Sequence, residues 1–237
     1  MPSIAIFLFI TLPWLNPFSP GPMSAAVPLL FSWACAAGVL VVYATRAHRW
    51  EAQRLTRLAA LAWLTAALLS TGLALLQYFG ATPMWGGWVN STALGEAYAN
   101  LRQRNQFASL TSIGLVALLW WTAQVRPGHT GAHGGAAPAS PASFGGLIAR
   151  GTLAAALLGV GNAASSSRTG LMQLMLVTVL VFMWGGLRRP ALRRVLLVTV
   201  LTYVLASIAL PLLAGLDPFS SGAWARLRAG DAACASR

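Results

Sequence analysis

Long apolar runs separated by short polar segments dominate the chain. Six runs approach the ~20 residues that a membrane-spanning helix requires. They are Ala25–Tyr43, Leu58–Phe79, Phe107–Ala123, Leu147–Ala164, Leu171–Trp184 and Val195–Leu213. A seventh, Ile4–Leu15, is shorter and leads into a Pro-rich stretch with Pro13, Pro17, Pro20 and Pro22. It lacks the basic n-region and the small-residue cleavage site of a signal peptide, so it reads as a first helix that is short or starts upstream of Met1. Backbone groups in lipid must be satisfied internally, and no alternation of a barrel strand is visible, so the runs are helices. The pattern predicts an all-α fold: a polytopic transmembrane helix bundle of six to seven helices over residues 1–215.

The polar segments carry the charge. The chain has 237 residues, 57% hydrophobic and 8% charged, far below the share of about 25% in soluble domains. Sixteen basic residues against four acidic ones give +12, and all sixteen are Arg. So apolar a chain cannot offer a broad wet basic face, which argues against nucleic acid as a partner. Arg in loops sets orientation instead. One Arg-rich segment holds Arg46, Arg49, Arg54 and Arg57; another holds Arg188, Arg189, Arg193 and Arg194. The positive-inside rule puts both in the cytoplasm, and the four intervening runs are the even number this demands. Pro127–Gly146 then falls inside as a flexible linker. Outside fall Gly80–Gln106, the turn Ser165–Arg168 and the tail from Leu216.

Six Arg run against that rule: Arg102, Arg104, Arg168, Arg226, Arg228 and Arg237. Two lie in Asn100–Gln106 (NLRQRNQ), where guanidinium groups and four carboxamides precede an apolar helix. Arg forks take phosphate oxygens in bidentate fashion, carboxamides bond sugar hydroxyls or a helix end, and a helix N-terminus favours an anion. A sugar pyrophosphate fits this chemistry; an interfacial polar cap with snorkelling Arg fits it as well. Arg168 lies in Ser165–Gly170 (SSSRTG), which joins two apolar runs with almost no loop. An Arg at membrane depth pairs or faces a cavity. It reads either as a ligand for an anionic lipid head or as a snorkelled residue beside Ser caps. Asn162 adds a polar group to the same stretch. Arg226 and Arg228 in the tail read best as a basic end on anionic lipid.

Other chemistry is thin. Cys35 and Cys234 differ in expected depth and do not pair. His48, His129 and His133 lack the spacing of a zinc site, so no metal is expected. No acidic residue interrupts a run, and no phosphate-binding loop, GxGxxG or HExxH is present. Most of the ten Trp flank the runs as an aromatic belt. Trp85 and Trp88 alone are placed for carbohydrate contact.

Several of these segments carry a family resemblance. LQYFG followed by YANLRQRNQFASL, with LPWLNPFSPGP before it and SSSRTGL after it, resembles the bacterial O-antigen ligase and polymerase superfamily, most closely its protein glycosylation ligase branch. The tail RAGDAACASR resembles the approach to that family's large periplasmic loop. The resemblance implies an inner-membrane glycosyltransferase of the all-helical type, without cofactor or metal. Its donor would be an undecaprenyl-pyrophosphate-linked glycan. Its acceptor would be Ser/Thr of a pilin or other protein, or lipid A core. By the same resemblance, Arg104 with Gln103, Asn105 and Gln106, then Arg168, and Arg237 at the loop opening, would hold the pyrophosphate. A His of the periplasmic loop is expected to assist the acceptor.

Members of the family are about twice this length. The expectation is therefore an N-terminal part, with residues 216–237 opening a truncated periplasmic loop, and without transfer activity alone. A polysaccharide polymerase is an alternative within the family. A small transporter complete at this length is the alternative outside it; it predicts inverted repeats or broken helices, and no convincing repeat is visible.

Overall fold

The structure is a computed structural model and describes residues 2–16, 26–45, 52–101, 103–124 and 141–217. Among these residues the fold is all-helical, with no strand. Seven α-helices follow the seven apolar runs: α1 (Pro2–Leu15), α2 (Ala26–Ala44), α3 (Ala52–Tyr78), α4 (Arg104–Gln124), α5 (Pro141–Ser165), α6 (Arg168–Met183) and α7 (Pro190–Leu213). Four of them, α2, α3, α4 and α7, are long and apolar enough to cross a membrane. Of the six near-spanning runs, the one that forms α6 is short: α6 has 16 residues and joins α1 as a shorter apolar helix.

Boundaries follow local chemistry. Proline opens α7 at Pro190 and α5 at Pro141, where its missing N–H costs a helix nothing. The start of α5 corrects the reading of Pro127–Gly146 as linker throughout, since its last six residues are helical; residues 127–140 lie outside those described. Gly185, at φ +67°, turns the chain just after α6 in the left-handed region that glycine tolerates.

The chain runs up and down between two ends. One end carries Arg54, Arg188, Arg189, Arg193 and Arg194 and is called here the arginine end. The other carries Gln77, Asn100 and Asn105 and is called the carboxamide end. At the arginine end Arg54 donates to Ser3 Oγ at 3.4 Å. Thr11 Oγ1 reaches Ala62 O, also at 3.4 Å. Both pairs are 51 residues apart in sequence, so α1 runs parallel to α3 in constant register. Asn16 falls abreast of Ala67, and α3 rises about 16 Å further to Tyr78. At the far end of α7, Leu216 lies against Gly95, which returns the chain to the carboxamide end.

Small residues let the helix backbones approach, as membrane bundles favour. A Cβ on Gly159 of α5 would lie 2.5 Å from the Thr199 carbonyl oxygen of α7. On Gly161 it would meet Thr71 Cγ2 of α3 at 2.9 Å, and on Gly114 of α4 it would meet Ala67 of α3 at 2.5 Å. The core between them is built of Ala66, Ala67, Ala74, Phe107, Leu110, Leu115, Ala155 and Leu158. By contrast α2 packs mainly on α1 and presents Leu29, Leu30, Trp33, Leu40 and Val41 outward.

Candidate anion site at the carboxamide end

The segment between α3 and α4 is held by side-chain amides. After α3 comes a 3₁₀ turn, Thr82–Trp88, and then irregular chain to Leu101. Such backbone needs partners wherever it is buried. Gln77, fully buried near the end of α3, supplies three. Its Nε2 donates to Asn90 O at 3.0 Å and Ala99 O at 2.6 Å, and its Oε1 accepts from Tyr98 N at 3.0 Å. Asn100 makes a second clamp. Its Nδ2 donates to Leu15 O at 3.1 Å and Trp88 O at 2.9 Å, and its Oδ1 accepts from Asn90 N at 3.2 Å. Asn16 returns a bond to Asn100 O at 3.4 Å. Two carboxamides thus bind the loop to α1 and α3 at once.

That loop delivers Arg104 as the first residue of α4. The carbonyl of Gln103 accepts from Gln106 N and Phe107 N and so closes the first turn. A cation at this position opposes the helix dipole. Glu96 answers it: its Oε1 accepts from Arg104 Nη2 in a direct ion pair. The Arg104 side chain is 30% and that of Glu96 37% exposed, so the pair faces water on one side.

Arg168 repeats the arrangement as the first residue of α6. Ser167 caps that helix, its Oγ accepting from Gly170 N at 3.4 Å. The same hydroxyl donates to Asn105 Oδ1 of α4 at 2.7 Å. Residues adjacent to the two arginines are therefore bonded to each other. Two helix N-termini, each beginning with Arg and neither holding an acid in its first turn, converge at one rim. Arg168 is exposed and has no ion pair among the described residues.

Below the rim the contact between α4, α5 and α6 stays polar. Gln173 Nε2 donates to Ser109 Oγ at 3.0 Å, and Asn162 Nδ2 donates to Gly170 O at 3.2 Å. Asn162 Oδ1 rests over Gly170, where a Cβ would collide with it and approach Ala108 Cβ to 2.9 Å. Ser165, Ser166 and Ser167 are all buried in the tight turn, and Ser166 takes φ +47°.

Of the residues expected at the site, Arg104, Asn105 and Arg168 come together. Gln103 and Gln106 are exposed on the same rim. Arg102 and Arg237 lie outside the described residues, as do the three His, Cys234 and the tail arginines Arg226 and Arg228. Trp88 is exposed on the loop. Asn100, grouped with the recognition residues by sequence, is buried and serves the loop. Glu96 and Gln77 were missed as contributors. A lone acid eight residues before an Arg gives no periodic signal, and a Gln near the end of an apolar run reads as interfacial.

A family model described as protein glycosylation ligase matches residues 97–121, the segment that includes Glu96's neighbour Ala97, Arg104 and most of α4. No curated protein and no solved structure matches the chain.

Proposed function

We propose that the carboxamide end holds the pyrophosphate of a lipid-linked glycan, and that this chain provides the donor-holding part of a glycan ligase. In this reading Arg104 and Arg168 take the pyrophosphate oxygens, while Gln103, Asn105 and Gln106 face the sugar. Arg237 would belong to the same set. The donor is an undecaprenyl-pyrophosphate-linked glycan, and the acceptor is a protein Ser/Thr or lipid A core. The membrane is the bacterial inner membrane, with the arginine end in the cytoplasm and the carboxamide end and C-terminal tail in the periplasm.

The observation that carries the reading is the bond between Asn105 and Ser167. It joins two helix starts that each present an Arg, and the first of them, at Arg104, lies in the segment that the ligase family model matches. Two positive helix ends and two guanidinium groups favour a ligand of more than one negative charge. In the reaction, departure of the pyrophosphate builds charge on its oxygens. Guanidinium groups fixed beforehand stabilise that charge without reorganising. The acceptor hydroxyl attacks the anomeric carbon and gives its proton to a general base, expected from the family resemblance to be a His of the periplasmic loop, while the bond from that carbon to the pyrophosphate breaks with its electron pair.

Binding of undecaprenyl pyrophosphate to the chain in nanodiscs, compared with uncharged undecaprenol, tests the donor half. Arg104→Ala and Arg168→Ala should each weaken binding of the pyrophosphate about tenfold, the worth of a charge-assisted bond of ~1.5 kcal/mol, and leave undecaprenol binding alone. Unchanged binding in both variants would refute the assignment.

A further inference from the structure

We propose that Glu96 is a specificity residue: it neutralises Arg104 against the singly charged head groups of the surrounding phospholipid and yields only to a ligand with more than one phosphate charge. This rests on the reading of Arg104 as a phosphate ligand.

The problem arises from where Arg104 sits. A half-exposed guanidinium at the end of a membrane helix, on top of a positive helix terminus, would attract any anionic lipid head. In a bilayer such heads outnumber a lipid-linked glycan greatly. A site that is only attractive would therefore be filled by the wrong lipid. Specificity is a difference of affinities, and a built-in competitor is one way to create it.

Glu96 has the features of such a competitor. It is one of two acidic residues among those described, the other being Asp217 on the chain after α7. Its backbone is fixed on both sides. Its N–H donates to Ala93 O at 3.0 Å, and its carbonyl accepts from Thr92 Oγ1 at 2.9 Å. The preceding Gly95 N donates to Tyr78 O at 3.0 Å, and Tyr98 N is held by Gln77. The carboxylate is thus delivered to Arg104 by a loop anchored on α3.

Its exposure makes the pair exchangeable. At 37% exposure the displaced carboxylate returns to water at little cost. A phosphodiester head that displaces Glu96 forms one charged contact and breaks one, so the exchange gains almost nothing. A pyrophosphate gains more, because its further charge reaches Arg168 and the start of α6 across the Asn105–Ser167 bond. Exposed ion pairs are worth up to ~1 kcal/mol, so removing the competitor should tighten anion binding by about two- to fivefold.

The test compares the full chain with its Glu96→Gln variant in nanodiscs, using undecaprenyl pyrophosphate as probe. In phosphatidylcholine alone, Glu96→Gln should tighten binding about two- to fivefold. Adding phosphatidylglycerol should then weaken binding to Glu96→Gln while affecting the unaltered chain little. Glu96→Asp, which draws the carboxylate back, should shift both readings in the same direction by less. Equal or weaker binding by Glu96→Gln in phosphatidylcholine, or equal sensitivity to phosphatidylglycerol, overturns the proposal. Arg104→Ala separates the two levels. If it weakens probe binding while Glu96→Gln has no effect, the specificity role fails and the donor site stands. If Arg104→Ala has no effect either, both fail.

Discussion

Replacing Gln77 with Leu would remove the bonds that hold the α3–α4 loop while keeping nearly the same side-chain volume. Three backbone groups lose their partner: Asn90 O, Ala99 O and Tyr98 N. Leaving a buried polar group unpaired costs about 1–3 kcal/mol. Ala99 is fully buried and stands at the upper part of that range, whereas Asn90 and Tyr98 are half-buried and can regain water. The sum is about 3–5 kcal/mol, a large fraction of the stability of an ordinary domain. Because the loss is concentrated in one loop, it should appear first as local opening. Hydrogen exchange over residues 89–103 in nanodiscs should accelerate strongly, and equilibrium unfolding in detergent should show the destabilisation. Gln173→Leu is the matched control. Gln173 makes one bond, to Ser109, and its buried Oε1 has no partner, so its loss should cost less than about 1 kcal/mol. Equal effects of the two substitutions, or unchanged exchange in Gln77→Leu, would refute the clamp.

Other predictions follow the same geometry. Gly159→Ala places a methyl group against Thr199 O and should destabilise the α5–α7 contact by about 1–3 kcal/mol in detergent unfolding. Gly72→Ala has no atom within 4 Å of the new Cβ and should be neutral or slightly stabilising. A double-mutant cycle with Asn105→Ala and Ser167→Ala should give a coupling of about 1 kcal/mol in unfolding free energy, and additivity would deny the bond. In a cysteine-free background, Ser91→Cys should react with an impermeant thiol reagent from outside intact cells and Thr45→Cys should not; the reverse would invert the orientation.

The helices were legible because lipid imposes a simple rule on sequence. Each of the seven runs became a helix, and Ser165–Arg168 became a two-residue turn with Ser167 capping α6. The ends were less legible where propensity and composition disagree: Pro141–Gly146 reads as linker from its small residues, yet it opens α5. At the rim, Arg104 and Arg168 stood out in the sequence because they lie at the end opposite the Arg-rich segments. It could not divide the carboxamides by task. Asn100 and Asn105 lie five residues apart with the same side chain; one clamps buried backbone and the other bridges two helices. Which amide does which depends on contacts with Leu15, Trp88 and Ser167, all remote in sequence.

The early end of α1 would alter a membrane around the bundle. The helix stops at Leu15, abreast of Ala66, about 18 Å short of the end of α3 at Tyr78. Above Leu15 the neighbouring depth is filled by Asn100 and the loop it holds, so a polar shelf lies below the top of α3. Lipid beside a short apolar wall responds by thinning locally. Head groups along this flank would sink toward the bilayer centre, giving a lipid-borne phosphate a shorter climb to the rim there than on the flank formed by α7. The bundle would then bias the side from which its ligand arrives, using the thickness of its own wall.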